Sequence, residues 1–331
     1  MKKVIIICGG PSSEYEVSLS STQSIIENID YEKYDVSVCI IGRDRNCIIK
    51  EIKEAANISE IFSIKIPFFE ALEKFKEYDV ALLGTHGQFG EDGVLQTYLE
   101  DSGIKYTGSD SYSSRLAMDK YRSSLLVTNT LDISMPKTEL VKLKYLKSEI
   151  EKAQLPIFIK PNRSGSSVCS YIIKDLSNID DILKDFDKEH IDEDRILIQE
   201  LIEDYVEVSC GCLEKKNGFF IELPPIEIIP QVGEFFDYKS KYEKRGSIER
   251  IPAIGIPKQL RERISELALD IHQLIGCKLY SRSDFLIKGE EIYYLETNTL
   301  PGMTATSLIP QETEAIGINY TELISFYIDN T

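Results

Sequence analysis

The chain has 331 residues, 42% of them apolar and 28% charged, with a formal net charge of −17. This is the composition of a soluble globular protein, and the length exceeds one ordinary core, so two or three domains are expected. The acidic surplus argues against nucleic acid and anionic lipid as partners, and an anionic substrate would need a locally basic site.

Residues 4–8 read as a fully buried strand, and Gly9-Gly10-Pro11 as the turn that ends it. Met1-Lys2-Lys3 ahead of that run begins like a signal peptide, but the apolar run is shorter than the ~7–15 residues an h-region needs. A helix follows, with Ile25 and Ile26 in its apolar stripe and Ser18 or Ser20 near its start. Two further strands are predicted at 35–41 and 80–84, and a helix from about 92 to 99. Strand and helix in alternation argue for a parallel α/β sheet. Thr107-Gly108-Ser109 closes this first domain.

A helix around 116–128 comes next, then a strand at 138–141 and a helix at 145–152. Buried strands are predicted at 157–160, 168–173 and 196–201. Strands at 206–213, 278–286 and 292–295 and a long helix at about 258–274 complete the pattern. Residues 233–247 carry Phe235, Phe236, Tyr238 and Tyr242 among lysines without a clear period, as expected of an ordered loop over a site. His190 and His272 read as surface residues. The chain has neither an internal repeat nor a run near the ~20 apolar residues of a membrane span. Cys8, Cys39, Cys47, Cys169, Cys210, Cys212 and Cys277 are odd in number and irregularly spaced. They read as buried reduced thiols of a cytoplasmic protein rather than a zinc site.

Four constellations carry chemistry. Asp284 interrupts an apolar strand, and Glu296 and Asn298 end the next one. Two acids and an amide on neighbouring strands suit Mg²⁺, which takes oxygen ligands and usually one or two carboxylates beside phosphate oxygens. Singly, each acid would pass for a solvated strand end. Pro301-Gly302-Met303-Thr304 is a tight turn whose N–H groups can act as an oxyanion site. Lys160, followed by Pro161-Asn162-Arg163-Ser164-Gly165-Ser166-Ser167, offers a strand-end lysine and a donor-rich loop to a triphosphate, although no P-loop is present. His86-Gly87 and Gly90-Glu91-Asp92-Gly93 follow a strand C-terminus, where parallel sheets bind ligands. First-turn stabilisation of the helix dipole accounts for at least one of Glu91 and Asp92.

Taken together, these pieces resemble the D-alanine–D-alanine ligases of the ATP-grasp superfamily. The matching segments are 9–19, 86–93, Tyr106-Thr-Gly-Ser109, Met118-Asp-Lys120, 160–167, 236–242, Arg282-Ser-Asp284 and 296–304, in the family's order over nearly the whole chain. The resemblance implies a mixed α/β (α+β) ATP-grasp fold of three domains. These are an N-terminal α/β substrate domain at 1–108, a central subdomain at 109–200, and a C-terminal catalytic domain at 201–331 bearing the 233–247 loop.

It further implies that Lys120, Lys160, Ser167, Gln199, Glu200, Glu207 and Lys241 surround ATP. Asp284, Glu296 and Asn298 hold Mg²⁺, for which Mn²⁺ can substitute. Glu14 takes the first D-alanine's ammonium and joins Ser166 and Tyr242 in a triad, with His86 nearby. Arg282 and the Gly302 N–H stabilise the oxyanion, and Ser307 and Leu308 contact the second D-alanine. The implied enzyme is a cytoplasmic homodimer supplying a peptidoglycan precursor, without nucleic-acid or membrane partners.

Several positions depart from the family pattern. Thr306 stands where histidine is usual, Gln199 where an acid is common, Leu201 where an aromatic is common, and Ser164 where an acid is common. Tyr15 is similar to ligases that add D-serine, whereas Tyr242 and Leu308 resemble the D-alanine form. Two alternatives therefore stand beside the leading reading: a ligase that adds D-serine or another amino acid second, and an inactive protein that binds ATP or D-alanine.

Overall fold

A computed structural model describes residues 1–165, 169–188, 195–230 and 247–331. Among these residues, three sheets organise the chain. The first has strand order β4-β3-β2-β1-β5, from β1 (Lys2–Gly9), β2 (Tyr34–Ile41), β3 (Asn46–Ile52), β4 (Ile66–Pro67) and β5 (Val80–Leu83). β1 runs parallel to β2 and β5, as the alternation of strand and helix predicts. β3 and β4 add antiparallel pairs, so the sheet is mixed rather than wholly parallel. β3 escaped the sequence reading because it is half-exposed, with Lys50 and Glu51 interrupting its apolar residues. Helices α1 (Tyr15–Asn28), α2 (Phe68–Phe75) and α3 (Val94–Asp101) accompany this sheet.

The single helix expected around 116–128 is two: α4 (Ser111–Met118) and α5 (Lys120–Thr130). Asp119 separates them, with φ −82° and ψ 86°. Its carboxylate accepts the Arg122 N–H at 3.2 Å, an N-cap that restarts the helix with Lys120 as its first residue. An antiparallel sheet follows, ordered β6-β9-β7-β8, from β6 (Thr138–Lys142), β7 (Ile157–Pro161), β8 (Tyr171–Ile173) and β9 (Arg195–Glu200). Leu146 and Ile150 of α6 (Leu146–Ile150) and Phe186 of α7 (Ile179–Lys188) fill its core.

The third sheet is ordered β13-β12-β10-β14-β15, with β11 paired to β10. Its strands are β10 (Val206–Glu214), β11 (Phe220–Glu222), β12 (Ile226–Pro230), β13 (Ser247–Arg250), β14 (Tyr280–Lys288) and β15 (Glu291–Asn298). The long helix α8 (Lys258–Ile275) buries Ile264, Leu267, Ala268 and Ile271 against it, together with Ala117 and Val127 of α4 and α5. The last helices are α9 (Leu308–Ala315) and α10 (Tyr320–Asn330).

The hydrophobic cores do not follow chain order. Leu323, Ile324, Tyr327 and Ile328 of α10 lie in one apolar cluster with Val4–Cys8 and Val80–Leu83 of the first sheet. Lys2 Nζ donates to the Ile328 carbonyl at 2.5 Å, and Tyr327 stacks on Tyr280 of β14 with ring centroids 4.1 Å apart. All seven cysteines are buried, in line with the sequence reading. His272 overturns its expectation. It is 1% exposed, with Nδ1 2.7 Å from the Ser281 hydroxyl and Nε2 3.5 Å from Glu214, because α8 turns it onto the sheet. His190 lies outside the described residues.

Ile324→Ala should cost about 2–5 kcal/mol, the usual range for truncating a fully buried isoleucine. If α10 and the first sheet share a core, hydrogen exchange should speed up in β1 and β5 as well as in α10. Faster exchange confined to α10 would contradict that packing.

Candidate active site

The site begins with strand register. β14 and β15 pair antiparallel with Arg282 opposite Asn298 and Asp284 opposite Glu296, and the register shifts just beyond, between Asp284 and Phe285. Side chains alternate across a strand, so residues two apart and their cross-strand partners share one face. Arg282, Asp284, Glu296 and Asn298 therefore project together, and β10 adds Ser209 opposite Asp284.

Arg282 grips Asp284 with two hydrogen bonds, Nε to Oδ1 at 2.9 Å and an η-nitrogen to Oδ2 at 2.8 Å. The Asn298 amide donates to Asp284 Oδ2 at 3.1 Å, and the Ser209 hydroxyl donates to Oδ1. Burial works against the Arg282 charge, but Asp284 more than offsets it and holds the guanidinium pKa above its ordinary value. The guanidinium is thus fixed in its charged form.

Lys120 reaches the same face from the start of α5. Its Nζ lies 3.1 Å from Glu296 Oε2 and donates to the Ser164 carbonyl at 2.6 Å. A polar clamp holds it there. Asp119 accepts from Asn162 Nδ2 at 2.9 Å and from Arg163 at 2.8 Å. Asn162 Oδ1 takes the Tyr121 N–H at 2.9 Å, and the Asn162 carbonyl takes the Lys120 N–H at 3.2 Å. Burial alone would raise the Asp119 carboxyl, but the bonds from Arg163, Asn162 and the Arg122 N–H outweigh it and lower it.

Two clefts meet at Glu296. The first lies between the second and third sheets. Phe158, Ile172, Leu201, Leu286 and Leu295 give it an apolar slot, and Lys120, Lys160, Asp284 and Glu296 give it a charged end. Gln199, Glu200 and Glu207 line it as well. The Gln199 amide donates to the Thr138 hydroxyl at 2.9 Å, and Glu200 accepts the Lys137 N–H at 2.9 Å. A flat base in the slot with its polyphosphate at the lysines matches this division of apolar and charged surface.

The second cleft lies between the first sheet's loops and the 300–308 turn. Glu14, 6% exposed, sits just before α1 without capping it and lines the cleft with His86, Arg282, Gly302, Ser307 and Leu308. A Cβ at Gly165 would lie 2.1 Å from Glu14 Oε2 and one at Gly87 2.4 Å, so both glycines admit the carboxylate by lacking a side chain. His86 Nδ1 lies 2.9 Å from the Leu300 carbonyl and Nε2 2.7 Å from the Ser21 hydroxyl. Burial lowers the His86 pKa despite nearby Glu14. In the neutral ring, Nδ1–H donates to Leu300 and Nε2 accepts from Ser21.

Ser307 begins α9, and its hydroxyl lies 2.8 Å from the Thr304 hydroxyl and accepts the Thr304 N–H at 3.1 Å. The Gly302 N–H has no partner among the described residues. Leu308 does more than border the cleft: it packs with Ile226 and Ile228 in a small core of its own. Thr306 is exposed.

Of the residues named from the sequence, Lys120, Glu296, Asp284, Asn298 and Arg282 lie at one sheet face, and Glu14, His86, Gly302, Ser307 and Leu308 line the second cleft. Ser166, Ser167, Lys241 and Tyr242, and with them most of the 233–247 loop, lie outside the described residues. Sequence reasoning gave no role to Asp119, Asn162, Ser209 or Ser21. Asp119 and Asn162 stood inside quoted motifs, whereas Ser209 and Ser21 had no signal. Asp92 fits the helix-start reading by accepting the Val94 N–H at 3.0 Å, but Glu91 does not. Its two oxygens accept the Gly87 N–H at 3.3 Å and the Leu300 N–H at 3.2 Å.

Glu91 keeps part of its side chain open to the cleft while protein encloses its carboxyl. Burial first, and the Glu14 charge second, push that carboxyl up to about 7. A carboxylate raised on folding binds its proton more tightly in the native state, so stability should fall as pH rises from about 4.5 through about 7. The shift corresponds to about 3 kcal/mol at most. Glu91→Gln should flatten that decline in denaturant titrations run across this range, and an unchanged slope would remove Glu91 as its source.

Known proteins match both halves of the chain. The family model described as D-ala D-ala ligase N-terminus covers residues 3–109, and that described as D-ala D-ala ligase C-terminus covers 125–329. The D-alanine–D-alanine ligase B of Clostridium perfringens is 37% identical over 334 residues, spanning 99% of this chain and 98% of its own. The D-alanine–D-alanine ligase of Leptospira biflexa is 36% identical with the same coverage of both chains. The crystal structure of the VanG D-Ala:D-Ser ligase from Enterococcus faecalis superposes with a TM-score of 0.80 at 30% identity, over 99% of this chain and 98% of that one. The D-alanine–D-alanine ligase from Bacillus anthracis, complexed with ATP, superposes at 0.74 with 29% identity, over 100% of this chain and 97% of that one. The chain has the ATP-grasp fold and belongs to the D-alanine–D-alanine ligase family.

Proposed function

We propose that this chain joins two D-alanines into D-alanyl-D-alanine at the expense of ATP, by way of an acyl phosphate. The observation that carries this reading is the shared face of β14 and β15. There a half-buried Arg282, two carboxylates and an amide stand where a cleft with an apolar slot and a charged end meets a second, polar one.

In the first half-reaction, a carboxylate oxygen of the first D-alanine attacks the γ-phosphorus, and the bond to the ADP oxygen breaks. Lys120 and Lys160 offset phosphate charge from the end of the first cleft. Glu14 receives the first D-alanine's ammonium, and neutral His86 lies beside it without adding a competing positive charge.

The donor set fits Mg²⁺: Asp284 and Glu296 would supply carboxylates, and Asn298 its side-chain oxygen Oδ1, the amide nitrogen being already engaged with Asp284. All four acceptor positions on Asp284 are taken, so an ion held there would have to displace one of these donors. When bound, the ion would draw charge from the phosphate oxygens.

In the second half-reaction, the amine of the second D-alanine attacks the acyl carbon, loses a proton, and phosphate departs. Arg282 and the Gly302 N–H face the oxyanion, each such donor being worth roughly 3 kcal/mol. Ser307 receives the second carboxylate, and Leu308, backed by Ile226 and Ile228, packs against its methyl. The proposed triad of Glu14, Ser166 and Tyr242, and the contribution of Lys241, Ser167 and the 233–247 loop, extend this reading to segments outside the described residues.

Three working units are proposed, at 1–108, 109–200 and 201–331, each centred on one sheet. The further reading is a cytoplasmic homodimer serving peptidoglycan precursor synthesis. Seven buried cysteines support the compartment. Among the described residues, no helix is long and apolar enough to cross a membrane.

Purified protein with ATP, Mg²⁺ and D-alanine should release phosphate and dipeptide in equal amounts. D-serine or D-lactate added in competition reads the second-subsite preference directly. No phosphate release with any D-amino acid would sink the ligase reading. Glu296→Gln should lower kcat by about 100-fold or more, the scale of losing a charge-stabilising group, with an unchanged melting temperature. Near-normal turnover would remove Glu296 from the metal site. Lys120→Met should raise the KM for ATP while the KM for D-alanine stays within about twofold, since one phosphate contact carries roughly the energy of a charged hydrogen bond. An unchanged ATP dependence would take Lys120 out of the nucleotide cleft.

A further inference from the structure

The turn that carries Gly302 is not held by its own sheet alone. The Leu300 backbone, directly before Pro301-Gly302, is gripped on both sides of its Cα by residues of the N-terminal half. Its N–H donates to Glu91 Oε1 at 3.2 Å, and its carbonyl accepts from His86 Nδ1 at 2.9 Å. One residue past Gly302, the Met303 N–H donates to the Ser21 hydroxyl at 3.3 Å. Ser21 in turn lies 2.7 Å from His86 Nε2, and Glu91 ties back to the Gly87 N–H beside His86 at 3.3 Å. From the C-terminal side, the Tyr320 hydroxyl donates to the Met303 carbonyl. The backbone on either side of Gly302 is thus fixed by Glu91, His86 and Ser21, residues 209 to 282 positions away in sequence.

We propose that Glu91 and Ser21 are positioning residues for the second half-reaction. They lock the oxyanion-donating Gly302 turn to the His86 loop that borders the first-substrate subsite. The inference deepens the ligase reading and rests on it. Neither residue needs to touch the reacting atoms. Their effect passes through Leu300 and Met303 to the direction of the Gly302 N–H, and an oxyanion donor works only when aimed at the forming charge. The first half-reaction does not use that N–H. It draws on Lys120, Lys160, Glu14 and the β14–β15 face, which neither Glu91 nor Ser21 hydrogen-bonds; of its residues only His86, an uncharged neighbour of the first substrate, touches Ser21.

A loosened turn should therefore separate the two halves. The acyl phosphate would still form, but attack by the second amine would slow. Water would take its place at phosphorus, a route that makes no acyl oxyanion: it attacks the phosphoryl group, the phosphorus–oxygen bond to the carboxylate breaks, and D-alanine and inorganic phosphate leave. ATP would be hydrolysed without dipeptide.

The test measures dipeptide formed per phosphate released in Glu91→Ala, Ser21→Ala and the conservative Glu91→Gln, with ATP, Mg²⁺ and D-alanine. In both alanine variants the ratio should fall from one by about tenfold or more, consistent with losing aim at one oxyanion donor. The KM for the first D-alanine should stay within about twofold. Glu91→Gln retains one acceptor oxygen and should lie between wild type and Glu91→Ala. Folding is checked by circular dichroism, and if either alanine variant fails to fold, Glu91→Gln carries the test. A ratio that stays at one, or that falls only together with a loss of folded protein in all three, overturns the inference. Absence of D-alanine-dependent phosphate release in the wild type overturns the ligase reading instead.

Discussion

The site depends on one electrostatic fact: a guanidinium and two carboxylates are carried on a shared sheet face and balance one another there. Burying any of these charges alone would cost several kcal/mol. Arg282 and Asp284 meet that cost by pairing in two parallel bonds, with Asn298 and Ser209 filling the remaining acceptor positions on Asp284. Glu296 has Lys120 at 3.1 Å. The antiparallel register of β14 and β15 sets all four functional groups on one side of the sheet, and a one-residue slip would send each to the opposite face. The rest of the molecule serves that face. β10 flanks it, α5 delivers a lysine to it, and the second sheet closes one cleft against it.

A buried acid behind the face adds to the charge arrangement. Glu312 of α9 is fully buried, and both of its oxygens accept the Gly211 N–H at 3.1 Å. Gly211 stands opposite Arg282 in register, and a Cβ there would lie 2.7 Å from a Glu312 oxygen. Burial raises the Glu312 carboxyl well above its usual range, while the Gly211 N–H and Arg282 pull it down. Glycine at this position makes room for the acid beneath the arginine's strand.

Much of this was legible in the sequence. Continuous apolar runs exposed β1, β5, β7 and β9, and a charge inside an apolar strand marked Asp284. The Glu-Thr-Asn that ends β15 marked the metal-type donors. Other features were hidden for physical reasons. β3 and β13 are half-exposed, and charged residues cut their apolar stretches short. The break at Asp119 is a side-chain cap, which a periodicity argument reads straight through. Ser21, Ser209 and Glu91 act through partners 65 to 282 positions away, and no local pattern announces such contacts. His272 misled because a lone histidine on a helix gives no sign of which side faces the sheet.

The seating of α10 on the first sheet bears on how the chain is made. Synthesis delivers β1 first and residues 320–328 more than three hundred positions later, yet the two share one apolar cluster. Until those late residues arrive, the first sheet lacks part of its cover, although its own strands and helices are complete. Such a long-range closure is slow compared with local helix formation and leaves apolar surface exposed meanwhile. The two ends of the described chain are also neighbours, with Lys2 Nζ on the Ile328 carbonyl and Lys33 Nζ 2.5 Å from Asp329. A short linker joining them, with new ends opened at a surface loop, would turn this late closure into an early, local one.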